Sequence, residues 1–230
     1  MDKKKTYVVA SSRAWNKPGF LKIQLEVEGE WLWVTTQEEL EQALLAVSPR
    51  YIFFLHWNWL VPKKIWEDYE CVCFHMTDLP YGRGGSPLQN LILRGHTETK
   101  LTAFRMIEEF DAGPIYMKEG LALNGVAQEI YMRAGELSYD MIRSIIMREP
   151  APVPQLGAAT YFHRRKPCES EIPQDLTAEE IFDFVRMLDA EEYPRAFLKC
   201  GSYRLELSGA KLEDGILNAV VSLKPLDTKV

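Results

Sequence analysis

Several features that mark particular protein classes are scarce or missing in this sequence. Only four cysteines occur in 230 residues, which is too few for a disulfide scaffold, and they do not form the two close pairs of a four-thiolate zinc site. No stretch approaches the roughly 18 uninterrupted apolar residues of a membrane span. The basic start is followed by an apolar segment far too short for a signal peptide. We therefore expect a cytoplasmic protein with reduced thiols and no metal.

The charge balance gives no reason to expect a nucleic-acid partner. Lys and Arg number 27 against 33 Asp and Glu, for a formal net charge of −6. Proteins that bind nucleic acid tightly usually show clustered Lys and Arg. A hydrophobic fraction of 47% and a charged fraction of 26% are ordinary for a globular domain. The expected partners are small molecules, with no nucleic acid and no membrane.

The first 150 residues alternate short apolar segments with amphipathic ones. Strands are predicted at 5–11, 30–34, 51–55, 71–75, 99–107 and 114–119. Helices are predicted at 37–47, 63–69, 87–94 and 126–147. Segment 13–19 is predicted to be a loop, because Pro18-Gly19 punctuates it.

This alternation indicates an α/β fold, with a Rossmann-like, doubly wound and mostly parallel sheet. Ligands of such sheets bind outside the carboxyl ends of the strands. The loops at 56–62 and 75–87 both leave the predicted sheet at that edge.

A proline-rich segment at 149–154 marks the predicted edge of the core. We expect a catalytic core at 1–150 and a small C-terminal α+β appendage at 151–230. In the appendage, Thr177-Ala178-Glu179-Glu180 has the form of a capping box that opens a helix. A β-hairpin at 196–207 and a further strand at 218–223 follow it.

The hairpin also suggests how copies of the chain meet. Tyr203 and Leu207 lie on this hairpin, and we expect their side chains to be exposed to solvent. Exposed apolar side chains favour association, so we expect a homodimer contact there.

Acid–base chemistry is suggested by a histidine and a distant aspartate. His75 ends the predicted strand 71–75 and opens a glycine-studded loop, while Asp111 occupies a separate Phe-Asp-Ala-Gly turn. A carboxylate that orients an imidazole is a common arrangement for moving protons. The plain alternatives are a hydrogen-bonded histidine at a strand end and an aspartate that caps its own turn.

The motifs around these residues resemble the 10-formyltetrahydrofolate-dependent formyltransferases. That family includes the methionyl-tRNA, glycinamide-ribonucleotide and nucleotide-sugar enzymes, and the resemblance covers roughly residues 50 to 200. The matching segments are Cys71-Val72-Cys73-Phe74-His75, Leu79-Pro80-x-x-Arg83-Gly84, Pro87-Leu88-Gln89, Thr99-x-x-Thr102, Phe110-Asp111-Ala112-Gly113-Pro114-Ile115 and 159–167.

The resemblance implies formyl transfer from 10-formyltetrahydrofolate to an amine by an Asn-x-His pair and a distant Asp. The matching catalytic positions are Cys73, His75 and Asp111. Cys73 departs from the pattern, because a thiol is a poor hydrogen-bond donor where the family has an amide. Either a backbone N–H or the amide of Asn58 or Asn90 supplies that donor, or the enzyme works without it. Cys73 is otherwise a small apolar residue of the core.

The resemblance also assigns ligand contacts. The expected folate contacts are Trp57, Asn58, Trp59, Leu60, Pro62 and Ile107. The expected acceptor contacts are Thr77, Arg83, Gly84 and Arg195. Core or interface packing is an equal alternative for the two tryptophans, and a solvated basic face is the alternative for Arg195.

The expected function is formylation of a nucleotide-linked amino sugar for surface-polysaccharide biosynthesis. The acceptor would be a UDP- or dTDP-linked 4-amino-4,6-dideoxy sugar or a precursor of pseudaminic acid. This choice depends on the acidic charge and on the absence of the longer basic C-terminal domain found in the methionyl-tRNA enzymes. The alternatives are a methionyl-tRNA-type formyltransferase, a folate-binding protein with altered catalysis, and a formyl hydrolase.

Overall fold

A computed structural model describes residues 4–226. Its first strands are β1 (Thr6–Ala10), β2 (Glu30–Val34), β3 (Tyr51–Phe54), β4 (Cys71–His75), β5 (Arg83–Gly84), β6 (Glu98–Arg105) and β7 (Ile115–Ala122). The later strands are β8 (Tyr161–Phe162), β9 (Ala196–Cys200), β10 (Tyr203–Glu213) and β11 (Ile216–Pro225). The helices are α1 (Lys17–Glu26), α2 (Gln37–Ala46), α3 (Lys63–Asp68), α4 (Pro87–Ile92), α5 (Ala127–Arg148) and α6 (Ala178–Arg186), with 3-10 turns at Ala14–Asn16 and Pro167–Ser170.

The main sheet has six strands in the order β2-β1-β3-β4-β6-β7. β1 pairs in parallel with both β2 and β3, and β3 pairs in parallel with β4. β6 runs antiparallel to β4 and places Thr102 opposite His75. The strand order reverses between β1 and β3, which is where α/β sheets bind ligands. The predicted α/β, mostly parallel sheet is confirmed.

The core of this sheet follows from its strand sequences. The side chains of β3 are buried without interruption, as expected for a strand covered on both faces. Val8, Ile52 and Phe54 pack in one cluster with Leu40 of α2. α2 begins where the sequence predicts, because the Thr36 hydroxyl accepts a hydrogen bond from the backbone N–H of Glu39.

The predicted loop at 13–19 is wrong. The chain there forms a 3-10 turn and then the start of α1. Pro18 lies in the first helical turn, where its missing N–H breaks no helical hydrogen bond. Gly19 lies against the ring of Tyr139, and a Cβ at this position would be 2.3 Å from that ring. The Pro-Gly pair therefore reflects a helix start and a close packing contact.

The chain divides into two compact units that interleave along the sequence. One unit runs to Gly84 and also contains 99–121 and 132–161; the other contains 85–98, 122–131 and the chain from 162 onward. The predicted domain boundary at residue 150 stays a prediction. No helix within residues 4–226 is both long enough and apolar enough to cross a membrane.

The second unit contains the predicted helix and β-hairpin. α6 begins with the expected capping box, in which the Thr177 hydroxyl accepts from the N–H of Glu180 and the Glu180 carboxylate accepts from the N–H of Thr177. A three-stranded antiparallel sheet follows in the order β11-β10-β9. Tyr203 is exposed and Leu207 is half-buried. The homodimer contact expected at these two residues stays a prediction.

Candidate active site

His75 is the last residue of β4 and is 8% exposed. Its Nε2 lies 2.8 Å from the carbonyl oxygen of Gly82. A carbonyl can only accept, so Nε2 carries the hydrogen and Nδ1 of the neutral ring carries the lone pair. Nδ1 faces a carboxylate oxygen of Asp111 at 3.8 Å, which is too long for a direct hydrogen bond. Gly82 therefore fixes the tautomer, and Asp111 contributes negative charge.

Asp111 is held in a tight turn between β6 and β7. Its backbone is left-handed, with a φ of 51°, and its carboxylate accepts a 2.8 Å hydrogen bond from the backbone N–H of Gly84. Gly113 in the same turn passes so close to Arg105 that a Cβ would lie 1.7 Å from that carbonyl oxygen. This close approach explains the glycine in the Phe-Asp-Ala-Gly motif.

The loop that follows His75 is built around Gly82. The hydroxyl of Thr77 donates to the Gly82 carbonyl at 3.3 Å, and the hydroxyl of Thr102 donates to the Thr77 carbonyl at 2.6 Å. The N–H of Gly82 donates to the Thr160 hydroxyl at 2.7 Å. Thr77 is fully buried and supports the loop. Its expected contact with the acceptor stays a prediction.

Cys73 lies on β4, two residues before His75, and packs against Leu79, Phe104 and Ile115. Burial, reinforced by the charge of Asp111, raises the pKa of the Cys73 thiol well above its ordinary range. A thiol with a raised pKa stays protonated and is a poor nucleophile. The environment of Cys73 is that of a small core residue.

Asn90 and Asn58 differ as candidates for the missing amide donor. The Asn90 amide nitrogen lies 3.0 to 3.2 Å from three backbone carbonyls, and its oxygen accepts from Arg94 at 2.9 Å. Its donors are therefore already committed to the protein. Asn58 is exposed in the loop after β3, where its backbone N–H donates to the Ser12 hydroxyl at 3.1 Å. Asn58 remains the candidate of the two.

The residues expected to contact folate separate into two groups. The ring of Trp57 contacts Phe54 at 5.7 Å and Trp59 at 4.9 Å between centroids. Trp59 is 42% exposed and Leu60 is 69% exposed, so an apolar surface follows the carboxyl end of β3. Pro62 immediately precedes α3.

Ile107 lies elsewhere in the same unit. It follows β6, which is antiparallel to β4 and ends beside the first residues of β4. The N–H of Met106, the residue before Ile107, donates to the Cys71 carbonyl at 2.8 Å. The structure thus places Ile107 near the opposite end of β4 from His75.

The two arginines expected to meet the acceptor are already paired. The Arg83 side chain is 11% exposed; it donates to Glu109 at 2.8 Å and to Gln155 at 2.9 and 3.2 Å. Arg195, in the second unit, forms an ion pair with Asp189. Both guanidinium groups therefore have structural partners.

A second polar cluster, which no sequence pattern predicts, lies at the point where the strand order reverses. His56 follows β3 with a φ of 48°, and its Nδ1 lies 3.1 Å from the amide nitrogen of Asn16. The same nitrogen donates to the Ser11 hydroxyl at 2.9 Å. Burial, with the nearby charge of Arg13, lowers the pKa of His56 to about 4, so the ring is neutral. The incorrect loop at 13–19 concealed this cluster, because it left Asn16 without a fixed position.

No group of three or more His, Cys, Asp or Glu side chains in the described part of the chain is arranged to hold a metal ion. The arrangement of His75, Asp111 and Gly82 is suited to proton transfer, with one imidazole nitrogen anchored and the other available beside a carboxylate.

Comparison with known proteins decides the family. Residues 4–132 match the family model described as formyl transferase. The chain belongs to the formyl transferase family. This membership confirms the predicted class, the folate-dependent formyltransferases, and with it the expected formyl donor of that class, 10-formyltetrahydrofolate. Residues 167–224 match a second model, described as the C-terminal domain of methionyl-tRNA formyltransferase.

Individual relatives of this formyl transferase family member give finer detail. The structure of methionyl-tRNA formyltransferase from Clostridium thermocellum is 44% identical, with a TM-score of 0.93 over 96% of this chain and 99% of that one. Methionyl-tRNA formyltransferase from Bacillus pumilus strain SAFR-032 is 28% identical over 187 residues, 77% of this chain. The chain spans 58% of the length of this curated relative.

More distant structures share the fold. A 4-N formyltransferase from Francisella tularensis is 18% identical, with a TM-score of 0.68 over 97% of this chain and 98% of that one. HypX from Aquifex aeolicus, solved in complex with tetrahydrofolic acid, is 18% identical, with a TM-score of 0.75 over 92% of this chain and 38% of that one.

These comparisons overturn the predicted acceptor. The expectation of a nucleotide-linked amino sugar and a role in polysaccharide biosynthesis is wrong, because the relatives of higher identity are methionyl-tRNA formyltransferases. The expectation that excluded a nucleic-acid partner is wrong for the same reason. The argument from a missing C-terminal domain also fails. The Clostridium thermocellum chain is described as a methionyl-tRNA formyltransferase, and the match covers 99% of its length. The net charge misled because it sums over the whole surface, whereas nucleic acid contacts only part of it.

Proposed function

We propose that this protein transfers the formyl group of 10-formyltetrahydrofolate to the amine of methionyl-tRNA. The observation that carries the proposal is the 44% identity to the Clostridium thermocellum methionyl-tRNA formyltransferase, which extends over nearly the whole of both chains. The match of residues 167–224 to the C-terminal domain model of such enzymes supports the same acceptor. This acceptor is consistent with the cytoplasmic location expected from the sequence.

His75 is the proposed acid–base residue. The acceptor amine attacks the formyl carbon as a neutral nucleophile, so the new N–C bond forms as the amine loses a proton. Nδ1 of His75 takes this proton, because its Nε2–H is held by the Gly82 carbonyl. The bond from the formyl carbon to the folate nitrogen then breaks, and the same Nδ1–H returns the proton to that nitrogen.

Asp111 is proposed to stabilise the protonated ring. Its carboxylate lies 3.8 Å from Nδ1, close enough for strong electrostatic attraction to an imidazolium. The Gly84 N–H fixes the carboxylate in this place. Asp111 is therefore proposed to stabilise the imidazolium that forms when Nδ1 takes the proton of the amine.

The surface beyond β3 fits a folate. A pterin is a flat, largely aromatic group, and such groups bind on apolar and aromatic surfaces. Trp59 and Leu60 are exposed beside the half-buried Trp57, and they are proposed to contact the folate. Asn58 in the same loop is proposed as the side-chain donor toward the formyl oxygen, with Cys73 serving as core packing.

Individual exposed basic side chains of the second unit are proposed to meet phosphates of the acceptor. Exposed basic side chains lie within residues 167–224, which match the C-terminal domain model, or just before them: Arg164, Lys166, Lys199, Lys211 and Lys224. Of these, Lys199 pairs with Glu171 and Lys224 pairs with Glu206. Such side chains neutralise phosphates and make binding salt-dependent.

The test is a formylation assay with 10-formyltetrahydrofolate and methionyl-tRNA. We expect formylmethionine to be released when the product tRNA is deacylated, and His75→Ala to abolish its formation. Free methionine and uncharged tRNA serve as controls that lack the full acceptor. Absence of product from methionyl-tRNA, with tetrahydrofolate shown to bind, would contradict the proposal.

A further inference from the structure

Gln155 contacts the backbone of the Asp111 turn at two points. Its amide nitrogen donates to the Asp111 carbonyl at 2.7 Å and to the Gly113 carbonyl at 2.9 Å. An amide NH₂ has two hydrogens, so both are used in these bonds. The turn contains a left-handed aspartate, a conformation that persists only where the surroundings support it.

Arg83 holds the other end of the Gln155 side chain. The Gln155 oxygen accepts from Arg83 Nε at 3.2 Å and from Arg83 Nη2 at 2.9 Å. An arginine offers only donors, so the oxygen of Gln155 must face Arg83 and its nitrogen must face the turn. Arg83 Nη1 donates to Glu109 at 2.8 Å, which fixes the guanidinium in turn.

These contacts close a ring around Asp111. The Gly84 N–H holds the Asp111 carboxylate, and Gly84 is joined by a peptide bond to Arg83. The Arg83 side chain holds Gln155, which holds the Asp111 carbonyl. The backbone and the side chain of Asp111 are therefore both held by contacts that start from Arg83-Gly84.

We propose that Gln155 is a positioning residue for the Asp111 carboxylate. This inference rests on the proposed function, in which Asp111 faces His75 Nδ1. It also gives Arg83 a role different from the expected acceptor contact: its guanidinium supports Gln155. A displacement of a catalytic group by about 1 Å costs a rate on the order of 100-fold, so the ring matters for turnover more than for substrate affinity.

The discriminating variant is Gln155→Glu. It keeps the shape of the side chain and an oxygen for Arg83, but it replaces both donors with an oxygen that repels the carbonyls of Asp111 and Gly113. We expect kcat to fall by about 100-fold, with KM for methionyl-tRNA and for 10-formyltetrahydrofolate within about twofold of wild type. Gln24→Glu is the matched control, since it makes the same chemical change at an exposed helical position.

A second measurement does not depend on activity. The Gly84 N–H is protected from hydrogen exchange by its bond to Asp111, so we expect Gln155→Glu to speed exchange of the Gly84 amide by about 10-fold or more, with core amides of β1 and β3 unchanged. Gln155→Met, which removes donors and acceptor without adding charge, should show the same pattern and replaces the glutamate variant if that variant does not fold.

The outcomes separate the two proposals. An inactive wild-type protein would refute the proposed function, whereas the exchange rate of the Gly84 amide would still decide the position of Gln155. Unchanged Gly84 exchange together with kcat within twofold of wild type would overturn the positioning role. A raised KM with unchanged kcat would also overturn it, because it would indicate a direct substrate contact.

Discussion

Replacement of Asp111 by asparagine tests the electrostatic part of the proposed mechanism. Asparagine has nearly the same shape, and its oxygen can still accept the hydrogen bond from the Gly84 N–H. The variant therefore removes one negative charge 3.8 Å from His75 Nδ1 while the turn is kept. Both side chains are largely buried, so solvent screens their interaction only in part.

The distance sets the expected magnitude. Two unit charges 3.8 Å apart attract by about 4 kcal/mol at an effective dielectric constant of about 20 and by about 1 kcal/mol at the dielectric constant of bulk water. If this attraction is present when His75 holds the proton and absent when it does not, kcat should fall by between about 6-fold and about 1,000-fold. The KM values should change little, because a neutral ring gains nothing from the carboxylate.

The assay is steady-state formylation of methionyl-tRNA by Asp111→Asn, with circular dichroism and thermal unfolding to show that the fold is kept. Asp78→Asn is the matched control: it makes the same change in the loop after β4, at an exposed carboxylate paired with Lys118, where an ion pair contributes little. A kcat within twofold of wild type for Asp111→Asn would refute the reasoning, as would an equal loss in the control.

Three further perturbations test other parts of the structure. The pKa of His56 is lowered from 6.5 to about 4 in the folded chain. Between these two pH values the unfolded chain binds a proton at His56 that the folded chain does not bind, so stability should fall as the pH is lowered through this range. His56→Gln should flatten that loss in thermal unfolding scans, and an unchanged pH slope would count against a neutral His56 ring in the folded chain. Because burial raises the pKa of Cys73, iodoacetamide at pH 8 should alkylate the exposed Cys168 well before Cys73, as mass spectrometry of peptides would show; equal rates would contradict this. Gly113→Ala should lower the free energy of unfolding by about 1 to 3 kcal/mol, measured by urea denaturation. Gly120→Ala should be nearly neutral, since no atom other than those of Gly120 and its two chain neighbours lies within 4 Å of the added Cβ.

Local patterns were sufficient for most of the elements. The uninterrupted apolar run of β3 predicts a buried parallel strand. The Thr-x-x-Glu sequences before α2 and α6 predict helix starts, and in the structure the hydroxyls of Thr36 and Thr177 accept the expected capping hydrogen bonds. Each of these signals lies within one segment of the chain, so it can be read without knowing the tertiary structure. α1 was missed because Pro18-Gly19 is equally compatible with a loop and with the first turn of a helix, and only the ring of Tyr139 against Gly19 distinguishes them.

The acceptor was mispredicted because it depended on quantities taken over the whole chain. Net charge and chain length say little about a particular binding surface, and the comparison with a structure of similar extent corrects both arguments. Motif spacing was more reliable for the family, because the histidine and aspartate positions must satisfy a geometric requirement that composition does not express.

The sequence by itself determined most of the α/β elements, the family and the two residues, His75 and Asp111, on which the proposed chemistry depends. Only the tertiary structure decided which nitrogen of His75 is anchored, since the Gly82 carbonyl must be seen to face Nε2. It also decided that Arg83 is bound to Gln155, a residue 72 positions away along the chain. Hydrogen bonds act over about 3 Å and require particular directions. No local pattern encodes them when their donor and acceptor come from separate segments, and the fold alone brings those segments together.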